Sequence, residues 1–251
     1  MTANPLIRLG QLGQSTWLDY ITRDLVESGE LRRLIEQDGL RGMTTNPTIF
    51  EKAVAGSEQY DEEIRVSAAR DEAPEQIFEA LAIADVRRAC DLFRPVYDAC
   101  EGHDGLVSLE VSPRLAYDSD GTVRAARRLW QAVDRPNLMI KIPGTREGLS
   151  AVHACLARGI NVNITLLFAV ERYRDVIETY FAALESRVGR GEPIKQIASV
   201  ASFFVSRVDG KVDPALDKLG GEDAKSLRGA IAIANAAVAY ETFERAFQGS
   251  R

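Results

Sequence analysis

At 251 residues, with 45% hydrophobic and 27% charged side chains, the chain is long enough for one large α/β domain with a substantial core, or for two small domains. A net charge of -6 leaves no electrostatic footprint for nucleic acid, and no apolar run approaches the roughly 18 residues that span a bilayer. Met1 to Gly13 lacks the basic start and apolar stretch of a signal peptide, so a cytoplasmic protein is expected.

Cys90, Cys100 and Cys155 form an odd set without Cys-x-x-Cys spacing, and His103 and His153 are the only histidines. Neither a disulfide framework nor a zinc site fits such a set. No metal and no cofactor are expected.

Short apolar segments alternate with longer helical patterns, which predicts βαβ units around a parallel sheet. In chain order the expected strands are Ser15 to Ile21, Gly42 to Thr45, Leu106 to Ser112, Leu138 to Ile142, Ile160 to Thr165 and Ile197 to Phe203. The expected helices are Glu58 to Arg70, Pro74 to Ala99, Gly121 to Val133, Thr145 to Arg158, Ala169 to Val188 and Glu222 to Phe247. Pro74 suits a first helical turn, Asp120 an N-cap, and Gly159 the left-handed position past a helix end. Pro95 should kink or end the long second helix. Gly189 to Pro193 and Asp209 to Pro214 read as surface loops, and no linker divides the chain, so a single domain over 1–251 is expected.

Lys141 stands in the otherwise apolar run Leu138-Met139-Ile140-Lys141-Ile142-Pro143, which leads into Gly144-Thr145. A low-dielectric setting favours the neutral amine, which can attack a carbonyl and form a Schiff base. The competing reading has the stem buried and the head in water.

Neighbouring strands favour the chemical reading through their parity. Side chains alternate across a strand, so Ser108, Glu110 and Ser112 share one face while Val107, Leu109 and Val111 share the other. Met139 and Lys141 oppose Leu138, Ile140 and Ile142, and Asn161, Asn163 and Thr165 oppose Ile160, Val162 and Ile164. Three successive strands thus carry one apolar and one polar face. A closed parallel barrel accounts for this, with outward residues on helices and inward residues near the C-terminal strand ends forming a site. An open doubly wound sheet would cover both faces with helices and leave the polar parity unexplained. Asp19 after Trp17-Leu18 and Asn46 after Thr44-Thr45 join the same end, although a capping Asp and an Asn-Pro turn are ordinary choices.

These segments, with Thr44-Thr45-Asn46-Pro47, Asn161-Val162-Asn163-Ile164-Thr165-Leu166-Leu167-Phe168 and Ser202-Phe203-Phe204-Val205-Ser206-Arg207, resemble transaldolase, the longer bacterial type best. The resemblance covers nearly the whole chain and implies a class I aldolase on a (β/α)8 barrel of the TIM type, with about six of its strands present here. It implies transfer of a dihydroxyacetone unit between sugar phosphates of the pentose phosphate pathway, from sedoheptulose 7-phosphate or fructose 6-phosphate. By resemblance Lys141 is the nucleophile, Asp19 serves the C4 hydroxyl, and Glu110 handles the protons of imine formation through a water held by Thr165. Asn46, Asn163 and Ser202 would orient the dihydroxyacetone hydroxyls, and Arg207 would hold the phosphate.

In the family, two further strands and another phosphate-binding arginine follow the helix that resembles Glu222 to Phe247. Their absence implies unpaired sheet edges, which predicts a homo-oligomer if the chain is a shortened variant and not a fragment. It also leaves two other readings: a transaldolase diverted to an unusual sugar phosphate, and a catalytically silent homologue that binds sugar phosphate.

Overall fold

Strand and helix alternate through a computed structural model that describes residues 4–248. Its elements are, in order, α1 (Pro5–Gln11), β1 (Trp17–Leu18), α2 (Arg23–Glu27), α3 (Glu30–Gln37), β2 (Gly42–Thr44), α4 (Pro47–Ala55), α5 (Asp61–Ala68), α6 (Pro74–Ala99) and β3 (Leu106–Glu110). There follow α7 (Ser119–Val133), β4 (Leu138–Pro143), α8 (Arg146–Leu156), β5 (Val162–Leu167), α9 (Val170–Gly189), β6 (Ser199–Phe203), α10 (Ser206–Leu219), α11 (Gly221–Ser226) and α12 (Ile231–Gln248). Two compact units interleave along the chain. Among the described residues, one holds 4–112, Arg124–Lys141 and Ile160–Val162; the other holds Pro113–Val123, Ile142–Gly159 and 163–248.

In the first unit β1 to β4 pair in parallel, with Leu18 opposite Met43, Thr44 opposite Ser108 and Glu110 opposite Lys141. Ile140 N donates to Asn161 O, which brings in the start of β5. Helix α6 lies against β3 and buries Val86, Ala89, Cys90 and Phe93, a stripe at helical spacing that meets the apolar face of Val107 and Leu109. Pro74 opens this helix, and the Gln76 side chain accepts from Ala73 N.

In the second unit Gly144 N donates to Thr165 O, and Phe204 N donates to Leu167 O. The strand order is therefore β1-β2-β3-β4-β5-β6, the parallel α/β order expected from the sequence. Leu166, between those two acceptors, has φ +61 and is 40% exposed. A leucine in the left-handed region inside a strand is strained, and such strain clusters where a side chain must be re-aimed. Helix α8 packs on α9, which also meets β6 and α12. Gly159 takes φ +85 just past α8, as its position predicts.

Several boundaries differ from the sequence reading. Only Trp17–Leu18 of the expected first strand pairs, because the chain leaves the ladder at Asp19. Pro95 does not end α6, which runs on to Ala99 while its Phe93 side stays buried. The cap of α7 is Asp118, whose Oδ1 accepts from Gly121 N at 2.8 Å, and not Asp120. Asp209 to Pro214 is helical, inside α10. Its aspartates bond the chain leading into α12: Asp213 Oδ1 accepts from Gly229 N, and Asp209 Oδ1 from Ala232 N. That packing overrides the Gly-Pro punctuation. The expected Glu222 to Phe247 helix is interrupted at Leu227 to Ala230 and divides into α11 and α12.

Candidate active site

Parallel register sets the centre of the site. Glu110 and Lys141 are Cα partners on β3 and β4, so their side chains rise from the same face of adjacent strands. Lys141 Nζ lies 3.2 Å from Glu110 Oε2 and donates to the carbonyl oxygen of Thr45 at 3.0 Å. Lys141 is only 5% exposed, with Met139, Ile140 and Ile142 fully buried around it. Its amine therefore does not escape to solvent. It is held by one carboxylate and one carbonyl in a setting nearly closed to solvent, where such polar contacts are strong.

Thr45 joins the pair a second time. Its Oγ1 accepts from Glu110 N at 3.3 Å, and its own N–H donates to Ser108 O at 3.0 Å. One residue past β2 thus fixes the backbone of Glu110 and receives a hydrogen of the Lys141 amine. Sequence reasoning missed Thr45. The available signal was a β-branched hydroxyl directly before Asn46-Pro47, now seen to be 4% exposed.

Asp19 is exposed just beyond β1, and Asn46 follows β2. The Asn46 Oδ1 accepts from Thr48 N and Ile49 N, so the ordinary N-cap role is filled and its amide N–H pair lies outside the cap. Among the described residues, neither Asp19 nor Asn46 bonds Lys141 directly.

In the second unit, Ser202 Oγ donates to Asn163 Oδ1 at 2.8 Å, which links β6 to β5 through two of the anticipated binding residues. Asn163 and Thr165 are each 1% exposed. Arg207, in the first turn of α10, stacks its guanidinium over the Phe204 ring at 4.7 Å, and Phe204 in turn stacks on Phe168. Stacking keeps the planar fork of donors extended from its helix start.

A basic group with a carboxylate beside it, both nearly closed to solvent at strand ends, can form a carbinolamine and move its protons. The family model for transaldolase/fructose-6-phosphate aldolase matches residues 16–249. The transaldolase of Frankia alni is 49% identical over 249 residues, covering 99% of this chain and 67% of that protein. Those of Acidothermus cellulolyticus and Thermobifida fusca are each 50% identical over 248 residues, covering 99% of this chain and 66% and 67% of theirs. The chain spans about two thirds of the length of these curated relatives. With the motifs at Lys141, Glu110 and Asn46 inside the matched region, it belongs to the transaldolase/fructose-6-phosphate aldolase family.

Proposed function

We propose that the chain is a transaldolase that moves a dihydroxyacetone unit from a ketose phosphate to an aldose phosphate through a Schiff base on Lys141. The observation that carries this reading is the buried Lys141–Glu110 contact at 3.2 Å. The Lys141 amine attacks C2 of fructose 6-phosphate or sedoheptulose 7-phosphate. Glu110 delivers a proton to the departing carbinolamine oxygen, which leaves as water. Asp19 then takes the C4 hydroxyl proton. The C3–C4 bond breaks, its electron pair passes toward the imine nitrogen, and the aldose phosphate is released. Addition to the acceptor aldehyde reverses these movements, with Asp19 returning the proton. Asn46, Asn163, Thr165, Ser202 and Arg207 keep the roles the family resemblance gives them.

Borohydride with fructose 6-phosphate should leave a reduced adduct on the Lys141 peptide, and Lys141→Met should abolish it. A folded wild-type sample with no adduct would sink the reading.

The same reading includes a cytoplasmic setting, in keeping with three cysteines that are all unpaired. It also includes self-association. Ile233 and Tyr240 of α12 are 63% and 57% exposed, and a second copy is the occupant we infer for that apolar surface. Light scattering that finds a monodisperse monomer at high concentration would refute it.

A further inference from the structure

Asp19 has little local structure to hold it. The strand before it is two residues long and its last pairing is Leu18 with Met43. Four residues later the chain is tied again. Arg23 N donates to the Tyr60 hydroxyl at 2.8 Å, and that hydroxyl donates to Asp85 Oδ2 at 2.9 Å. The Arg23 guanidinium closes the ring: Nε donates to Asp85 Oδ1 at 3.1 Å, the outer nitrogens reach Glu63 at 2.7 and 3.2 Å, and the charge lies 4.4 Å over the Tyr60 ring. Arg23, Tyr60 and Asp85 are 4%, 0% and 0% exposed.

From this arrangement we propose that Tyr60 and Arg23 are positioning residues for Asp19, setting the height of the loop from which its carboxylate meets the substrate. The proposal rests on the reading of Asp19 as the proton acceptor at C4. A buried ion pair adds little stability beyond what apolar packing of the same volume supplies, so stability alone is a poor account of this cluster. Its geometry is more telling. Arg23 N is one of the donors that the start of a helix leaves without a partner inside the helix, and Thr22 already caps Leu25 N. The phenol therefore holds the main chain of the Asp19 loop itself. Burial first, and then the Asp85 carboxylate, push the Tyr60 phenol above its ordinary value, so it remains a donor to Asp85. Between the two fixed points lie only Asp19 to Thr22, of which Ile21 is 1% exposed. A displacement at Arg23 N has only these four residues to absorb it before Asp19, and misplacement of a proton acceptor by about 1 Å costs on the order of 100-fold in rate.

The test separates C–C cleavage from imine formation. Fructose 6-phosphate and borohydride are added together, and the Lys141 peptide is weighed for six-carbon and three-carbon adducts. Wild type should carry mainly the three-carbon adduct. Asp19→Ala should hold the uncleaved six-carbon adduct. Tyr60→Phe should shift the six- to three-carbon ratio at least tenfold toward the uncleaved form while total adduct stays within twofold, a split that general loosening of the fold would not produce. Arg23→Lys, which keeps the charge and loses the fork, should shift the ratio the same way. If Asp19→Ala shifts the ratio and neither Tyr60→Phe nor Arg23→Lys does, the positioning role is wrong. If Asp19→Ala itself keeps the wild-type ratio, the assignment of Asp19 fails and takes the proposal with it. A fall in total adduct that accounts for the whole effect would also overturn it.

Discussion

Thr45→Val removes one oxygen from the site and almost no volume. What is lost is the acceptor for Glu110 N, a bond whose 3.3 Å length puts it at the weak end of the range. The net worth of such a bond is about 0.5–1.5 kcal/mol, and leaving the N–H wholly without a partner raises the cost toward about 3 kcal/mol. The bond lost is a long one to a single main-chain N–H, so the expected destabilisation is about 1–2 kcal/mol. In a chain of this size that lowers Tm by roughly 2–8 °C. The Thr45 carbonyl, which receives Lys141 Nζ, is retained.

Thr45→Ser makes the opposite cut. It keeps Oγ1 and loses the methyl group of a residue that is 4% exposed, which costs about 1 kcal/mol. The two variants should therefore have similar urea midpoints but different chemistry. Borohydride trapping of dihydroxyacetone on Lys141 should slow about 3- to 30-fold in Thr45→Val, since a fraction of an ångström at Glu110 is amplified in the rate. In Thr45→Ser it should stay within twofold of wild type. Equal trapping rates in the two variants would refute the argument that the Thr45 hydroxyl positions the acid.

Burial pushes the Cys155 thiol up to about 12 and the Cys90 thiol higher still, whereas Cys100 is half-buried. At pH 8 both buried thiols stay protonated and closed to solvent, so an aromatic disulfide reagent should titrate one thiol quickly in the native chain and three in urea; two fast thiols would contradict this. Leu166→Val should destabilise by about 1–2 kcal/mol despite valine's higher strand propensity, because a β-branched residue tolerates φ +61 worse than leucine, and an unchanged urea midpoint would refute the strain. A Cβ at Gly42 would run into the Trp17 indole, so Gly42→Ala should cost about 1–3 kcal/mol in urea unfolding and raise the six-carbon share of the Lys141 adduct; a wild-type midpoint would show that the ring moves freely.

What could be read from the residues was whatever periodicity protects. On β3 the polar side chains of Ser108 and Glu110 share one face, Lys141 is the one polar side chain of β4, and parallel register turned that parity into the Glu110–Lys141 contact. Helix α6 was legible for the same reason, its 26 residues being long enough to display an apolar stripe. Helices α2, α3 and α4, of five to nine residues, are too short for a period to establish itself and escaped notice. Asp209 to Pro214 misled because its aspartates look like turn formers, yet they serve the approach to a helix twenty residues away. Thr45 was illegible for a deeper reason. Its hydroxyl leaves a trace in the sequence, but the atom that receives the Lys141 amine is a main-chain carbonyl, which every residue possesses. Only the fold can mark which carbonyl is used. The buried amine of this site is thus encoded by a side chain, while one of the two groups that hold it is encoded by where β2 ends.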